Sequence, residues 1–164
     1  MALPFEGPLT PAPLSDPVIP EPLRDGEAGR PCQHCDGPQE PVVWEDESWR
    51  VLLRDFSPLL GVMLVSREHH DSFADLPPAL QSEFGVLAAR IDRALLDLGD
   101  TARVHVYRWG DGSAHFHVHF IPRPLGLLDL RWYHLPLWED RLPKPSEEEI
   151  ERVRWRLAAA LASA

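Results

Sequence analysis

The apolar residues of the chain follow a two-residue period in some stretches and a helical period in others. Val42 to Asp46 and Arg50 to Asp55 read as two strands of a hairpin, with polar Glu47 and Ser48 at the turn, and Val62 to Ser66 reads as a third strand. Leu80, Phe84, Leu87, Ala88, Ile91, Leu95 and Leu98 then recur at the spacing of one helix face. Pro77 and Pro78 mark that helix's start and Gly99 its end. Arg103 to Arg108 and Ala114 to Ile121 are predicted strands, the second strictly alternating, with Gly110, Asp111 and Gly112 as the turn between them. Ser146 and Glu149 form a capping box, and Ile150, Val153, Leu157 and Leu161 make the apolar stripe of a closing helix. The expected fold is α+β: a mainly antiparallel sheet of about five strands, one long helix and a C-terminal helix.

Two regions break this pattern. Residues 1–31 carry Pro4, Pro8, Pro11, Pro13, Pro17, Pro20, Pro22 and Pro31, a density that excludes helix and central strand and predicts an extended arm. Leu125 to Pro145 reads as irregular and holds Trp132, Tyr133, His134 and Trp138, aromatics suited to a core edge, a partner or a pocket mouth. The expected organisation is an arm over 1–31, a main domain over 32–124, and an irregular segment plus closing helix over 125–164 that packs on it.

Composition narrows the function. A chain of 164 residues that is 44% apolar suits one compact domain. No stretch reaches the ~18 apolar residues of a membrane helix, and no basic stretch followed by an apolar one marks a secretory signal, so the expected location is the cytoplasm. The net charge of −10 repels nucleic-acid backbones and anionic membranes, which argues against an extended nucleic-acid surface and leaves room for a small anion only in a locally positive pocket.

Two clusters carry chemistry. In His115-Phe-His117-Val-His119-Phe-Ile-Pro-Arg123 the three histidines are two apart, so a strand places them on one face and Phe116, Val118 and Phe120 on the other. One solvated face could carry a lone histidine by chance, but three in strict alternation bring nucleophiles, proton carriers and metal ligands to one place. Cys32 and Cys35, in Cys-Gln-His-Cys, are half of a zinc site, a redox pair or two incidental thiols; a stable disulfide is disfavoured in a reducing compartment.

The segment from His115 to Ile121 resembles the signature of the histidine triad family, and Pro122-Arg123 is a common continuation. The resemblance extends upstream through Val43-Trp-Glu-Asp46, Trp49-Arg-Val-Leu-Leu-Arg-Asp55-Phe-Ser-Pro58, Met63-Leu-Val-Ser-Arg-Glu-His69 and Ser72-Phe-Ala-Asp-Leu76, and so covers Cys32 to Arg123. It implies a nucleotide hydrolase or nucleotidyltransferase acting at the α-phosphate of a nucleoside phosphoramidate, dinucleoside polyphosphate or nucleotide sugar. His117 is then the nucleophile that forms a nucleotidyl-histidine intermediate, and neutral imidazole is suited to that task near pH 7. His119 donates to a phosphate oxygen, with Ser113 a second donor. Asp55 bonds the ribose hydroxyls, and Leu53 and Phe56 sandwich the base. Many relatives carry Gly-Gln-Ser-Val before the first histidine; here the stretch is Gly110-Asp-Gly-Ser113-Ala, with no glutamine.

Some relatives also hold a structural zinc, and the resemblance assigns its ligands to Cys32, Cys35, His69 and His115. Family spacing to Ser72 and Leu76 favours His69 over His70, and His34, inside the Cys-x-x-Cys turn, is not expected to ligate. Two cysteines and two histidines close a tetrahedral site, leaving no position for activated water. Family members pair as dimers, so a homodimer is expected. The missing glutamine stretch keeps a nucleotide-binding or sensing module with vestigial activity as one alternative. The proline arm and the Trp132 region keep a zinc-stabilised interaction protein as another.

Overall fold

The computed structural model describes residues 4, 7, 12–37, 40–139 and 141–163; Pro8 and Pro11 of the expected arm lie outside them. Alternating residues pair three N-terminal strands, β1 (Val42–Glu45), β2 (Trp49–Leu53) and β3 (Val62–Ser66). Asp46 shapes the first turn, its Oδ1 accepting from the backbone N–H groups of Ser48 at 2.8 Å and Trp49 at 2.7 Å. Helix α1 (Pro78–Leu96) follows with proline at its start, then β4 (Thr101–Tyr107) and β5 (His117–Pro124). The sheet order is β1-β2-β3-β5-β4, and every neighbouring pair is antiparallel. Gly61 makes the β3–β5 approach possible: a Cβ there would lie 2.1 Å from the carbonyl oxygen of Phe120.

One sheet face is the main core. Val51, Leu53, Val62, Leu64, Val118 and Phe120 pack under Leu87, Ile91 and Leu95 of α1 and Val153, Leu157 and Leu161 of α3 (Glu147–Ala162). Each such fully buried aliphatic side chain contributes about 2 kcal/mol. The Ser146 side chain accepts from the Glu149 backbone N–H, which starts α3 where the pattern predicts. The registers Leu52↔Met63 and Met63↔His119 put Leu52, Met63 and His119 on the opposite face.

Two expectations are corrected. Strand β5 begins at His117 rather than Ala114, because the preceding backbone finds other partners. Ala114 N–H donates to the Asp25 carbonyl at 2.9 Å, and Phe116 N–H donates to the His70 carbonyl. His115 therefore precedes the strand, and Gly110–Gly112 is the middle of a longer connection. Residues 125–145 are not wholly irregular: a 3-10 turn (Leu128–Leu130) and α2 (His134–Glu139) lie within them. Leu130 and Leu135 bury against Leu59 and Ile121, which gives this segment its fold. The arm is extended and exposed over 12–23, and from Arg24 onward it docks, Asp25 bridging to Ser113.

Candidate functional site

The docked arm and the residues before β5 build a cluster of metal-ligand type. His115 is fully buried, and its Nε2 lies 2.7 Å from the Ser66 carbonyl, so that nitrogen carries the proton. Its Nδ1 lone pair is left facing Cys32 Sγ at 3.3 Å and Cys35 Sγ at 3.4 Å. His69 Nδ1 lies 3.3 Å from Cys35 Sγ, and all four donor atoms fall within 4.8 Å of one another. A tetrahedral zinc sets neighbouring sulfur and nitrogen ligands about 3.5 Å apart, so the set fits. Burial and the adjacent Cys32 thiol push the Cys35 thiol up to about 11. Gly26, at φ +85°, closes the cluster: a Cβ there would lie 2.7 Å from His69 Cε1.

The second cluster is next to it. His117 Nδ1 lies 2.8 Å from the His115 carbonyl and donates to it, which leaves Nε2 as a free lone pair. The His117 and His119 rings are 5.2 Å apart and perpendicular. Burial, helped by the Arg54 guanidinium, pushes His119 down to about 3, so it is neutral near pH 7. Arg54 is itself buried and paired with Glu139 of α2 at 2.9 Å, and Ser57 Oγ also donates to Glu139. On the other side, Trp109 packs against His119 at 5.4 Å and stacks on Tyr107 at 4.8 Å.

These side chains open onto a cavity of about 320 Å3 lined by His117, His119, Ser113, His34, Phe56 and Trp109, with Met63 on its floor. Three buried polar atoms in its wall have no partner: His119 Nδ1, Ser113 Oγ and His34 Nδ1. Buried polar groups are normally paired, so three unpaired atoms on side chains that line one cavity point to a polar ligand.

No family model matches the chain, and no curated protein matches it by sequence. Solved structures do match. A Zn-bound histidine triad family protein from Mycobacterium smegmatis is 21% identical, with TM-score 0.58 over 80% of this chain and 96% of that one. A hypothetical histidine triad nucleotide-binding protein from Sulfolobus tokodaii is 16% identical, with TM-score 0.61 over 80% and 93%. A histidine triad protein from Marinobacter aquaeolei VT8 is 23% identical, with TM-score 0.61 over 76% and 90%. The fold is that of the histidine triad proteins.

Within the histidine triad fold, the structure gathers His117, His119, Ser113 and Phe56 at one cavity, and Cys32, Cys35, His69 and His115 at one cluster. His70 is outside that cluster; its carbonyl instead holds Phe116. Leu53 is not brought to the cavity: it pairs with Val62 and is fully buried in the helix-side core. Strand parity is the reason, since Leu52 and Arg54 take the site face and Leu53 the other. Asp55 sits half-buried in the turn after β2, outside the residues that line the cavity. Sequence reasoning missed His34, Trp109 and Arg54 as site residues. Trp109 shares its parity with His105 and Tyr107, which stack in line with it, so that signal was present. No helix among the described residues is long and apolar enough to cross a membrane.

Proposed function

We propose that the protein is a histidine triad enzyme that hydrolyses or transfers a nucleotide through a covalent nucleotidyl-histidine intermediate. The observation that carries this reading is the state of His117. Its Nδ1–H is held by the His115 carbonyl, and its free Nε2 opens onto a cavity where Ser113 Oγ and His119 Nδ1 lack partners. Nε2 attacks the α-phosphorus, forming an N–P bond as the bond to the leaving group breaks, and the leaving group departs with its electron pair and takes up a proton. Water then attacks the same phosphorus, the N–P bond breaks, and the nucleotide leaves with His117 neutral again. The Ser113 hydroxyl and the His119 ring supply hydrogen bonds to the phosphate oxygens as charge builds there. Phe56 offers an apolar wall for the base, and its neighbour Asp55 is the carboxylate assigned to the ribose hydroxyls.

Zinc is the metal we assign to Cys32, Cys35, His69 and His115. When bound, it supplies structure, tying the arm to the residues before β5 and holding the His115 backbone whose carbonyl orients His117. The donor set is closed, so this chain's own histidines carry the chemistry.

The test is release of AMP from adenosine 5′-phosphoramidate and from diadenosine tetraphosphate, with intact mass followed in parallel. The wild type should release AMP from at least one, and His117→Ala should lower the rate by about 10³-fold or more. An unchanged rate in His117→Ala removes the assigned role. No AMP from either substrate, with AMP still bound, would favour a sensing module instead.

A further inference from the structure

His34 has no role in the site as the triad defines it. It is the third residue of Cys-Gln-His-Cys, yet it is not among the four clustered metal donors. The Cys32 carbonyl accepts from the backbone N–H of Cys35 at 3.0 Å and of Asp36 at 2.9 Å, which folds these residues into a tight turn. That turn carries the His34 ring beside the triad, 5.3 Å from the ring of His115 and 5.4 Å from that of His117.

The side chain is 3% exposed, lines the same cavity as His117, and its Nδ1 has no hydrogen-bond partner. Its Nε2 lies 3.5 Å from the Gln33 amide nitrogen, an arrangement in which Nε2 accepts and Nδ1 bears the proton. A buried imidazole N–H without a partner costs stability that an apolar ring would not, so an unpaired imidazole on the wall of the cavity that holds His117 calls for a ligand acceptor. In an in-line displacement the leaving group lies opposite the nucleophile and the non-bridging oxygens lie around the reacting phosphorus. A donor that flanks His117 therefore reaches a non-bridging oxygen, not the leaving group.

We propose that His34 is a phosphate-binding residue of the site, donating from Nδ1 to a non-bridging oxygen of the phosphoryl group that His117 attacks. This rests on the nucleotidyl-transfer reading in that the anion is taken to be an α-phosphate. It makes the metal-binding turn one wall of the phosphate site, so the residues that clamp the metal also aim a substrate ligand.

The test uses the zinc-loaded full chain and two probes, inorganic phosphate and AMP, titrated by calorimetry into wild type, His34→Phe and His34→Gln. Zinc content and thermal midpoint are measured on the same samples. The phenylalanine keeps the ring and loses the donor; the glutamine keeps a donor. His34→Phe should bind both probes about 10-fold more weakly, as expected for losing a hydrogen bond to a charged group, with zinc content unchanged. His34→Gln should recover to within about threefold of wild type. With adenosine 5′-phosphoramidate as substrate, His34→Phe should lower kcat/KM at least as much as it weakens AMP.

Should His34→Phe lose zinc or fail to fold, the wild type decides: phosphate must shift the His34 ring nitrogen resonance in a 15N spectrum. Equal affinities in wild type and His34→Phe, or no phosphate binding and no His34 shift in the wild type, overturn the proposal. If AMP binds no tighter than phosphate while the dependence on His34 persists, the nucleoside reading falls and the role of His34 stands.

Discussion

His119 is buried beside the Arg54 guanidinium, and both effects favour its neutral form, burial the more strongly. In the unfolded chain it titrates near 6.5, and in the folded protein only near about 3. Between those values the unfolded chain binds a proton that the folded chain lacks, so stability rises with pH through this window and is lost as pH falls below 6.5. The thermal midpoint should therefore drop between pH 7 and pH 4.5, and His119→Gln should flatten that slope. His34, pushed down to about 4 chiefly by burial, acts in the same direction and keeps the slope from vanishing. An identical slope in both proteins would show that His119 titrates normally. At this scale the sequence was legible where strand parity applied. It placed Phe116, Val118 and Phe120 in the core and His117 and His119 on the other face, whereas His115, expected on that face too, precedes the strand. Parity also removes Leu53 from the site, because its neighbour Leu52 shares a face with His119. His34 was not legible as a site residue, since nothing in Cys-x-x-Cys spacing says which way the turn's apex points.

Between elements, the Arg54–Glu139 pair joins the end of β2 to α2 with side chains 5% and 13% exposed. Removing one partner of a buried pair leaves the other charge uncompensated, whereas replacing both with apolar groups is far cheaper. Glu139→Ala should destabilise the protein by about 3 kcal/mol in urea unfolding, and Arg54→Met with Glu139→Leu should recover most of that. If the double variant is as unstable as the single one, the pair does not hold α2 in this way. The elements that could be read beforehand are those whose signals are local. β1, β2, β3, α1 and α3 each have a clear period, a turn residue or a cap. Helix α2 has only six residues, too few for a periodic signal, and it forms because Leu130 and Leu135 find Ile121. The start of β5 was hidden for a related reason: the partners that hold Ala114 and Phe116 out of the ladder are Asp25 and His70.

Across the whole molecule, the arm contributes more than its proline content suggests. Arg24 bonds Glu27, Asp71 and the Gly110 carbonyl, and Asp25 bridges to Ser113, so the arm clamps the connection that leads into the triad. The metal cluster lies at the end of this clamp. Protein purified without chelator should carry about one zinc per chain. Stripping it, or the substitution Cys32→Ser, should lower the thermal midpoint and open the bond after Arg24 to trypsin before the sheet is cut. A metal-free protein with an unchanged midpoint and unchanged cleavage would show that the cluster does not anchor the arm. Cys32 and its partner His115 are 83 residues apart in the chain. At roughly 5–20 residues per second of synthesis, the two thiols emerge on the order of ten seconds before that histidine exists. During translation the motif is a bare dithiol, open to oxidation or to a passing metal, and the arm must wait for most of the sheet to be made before it can close.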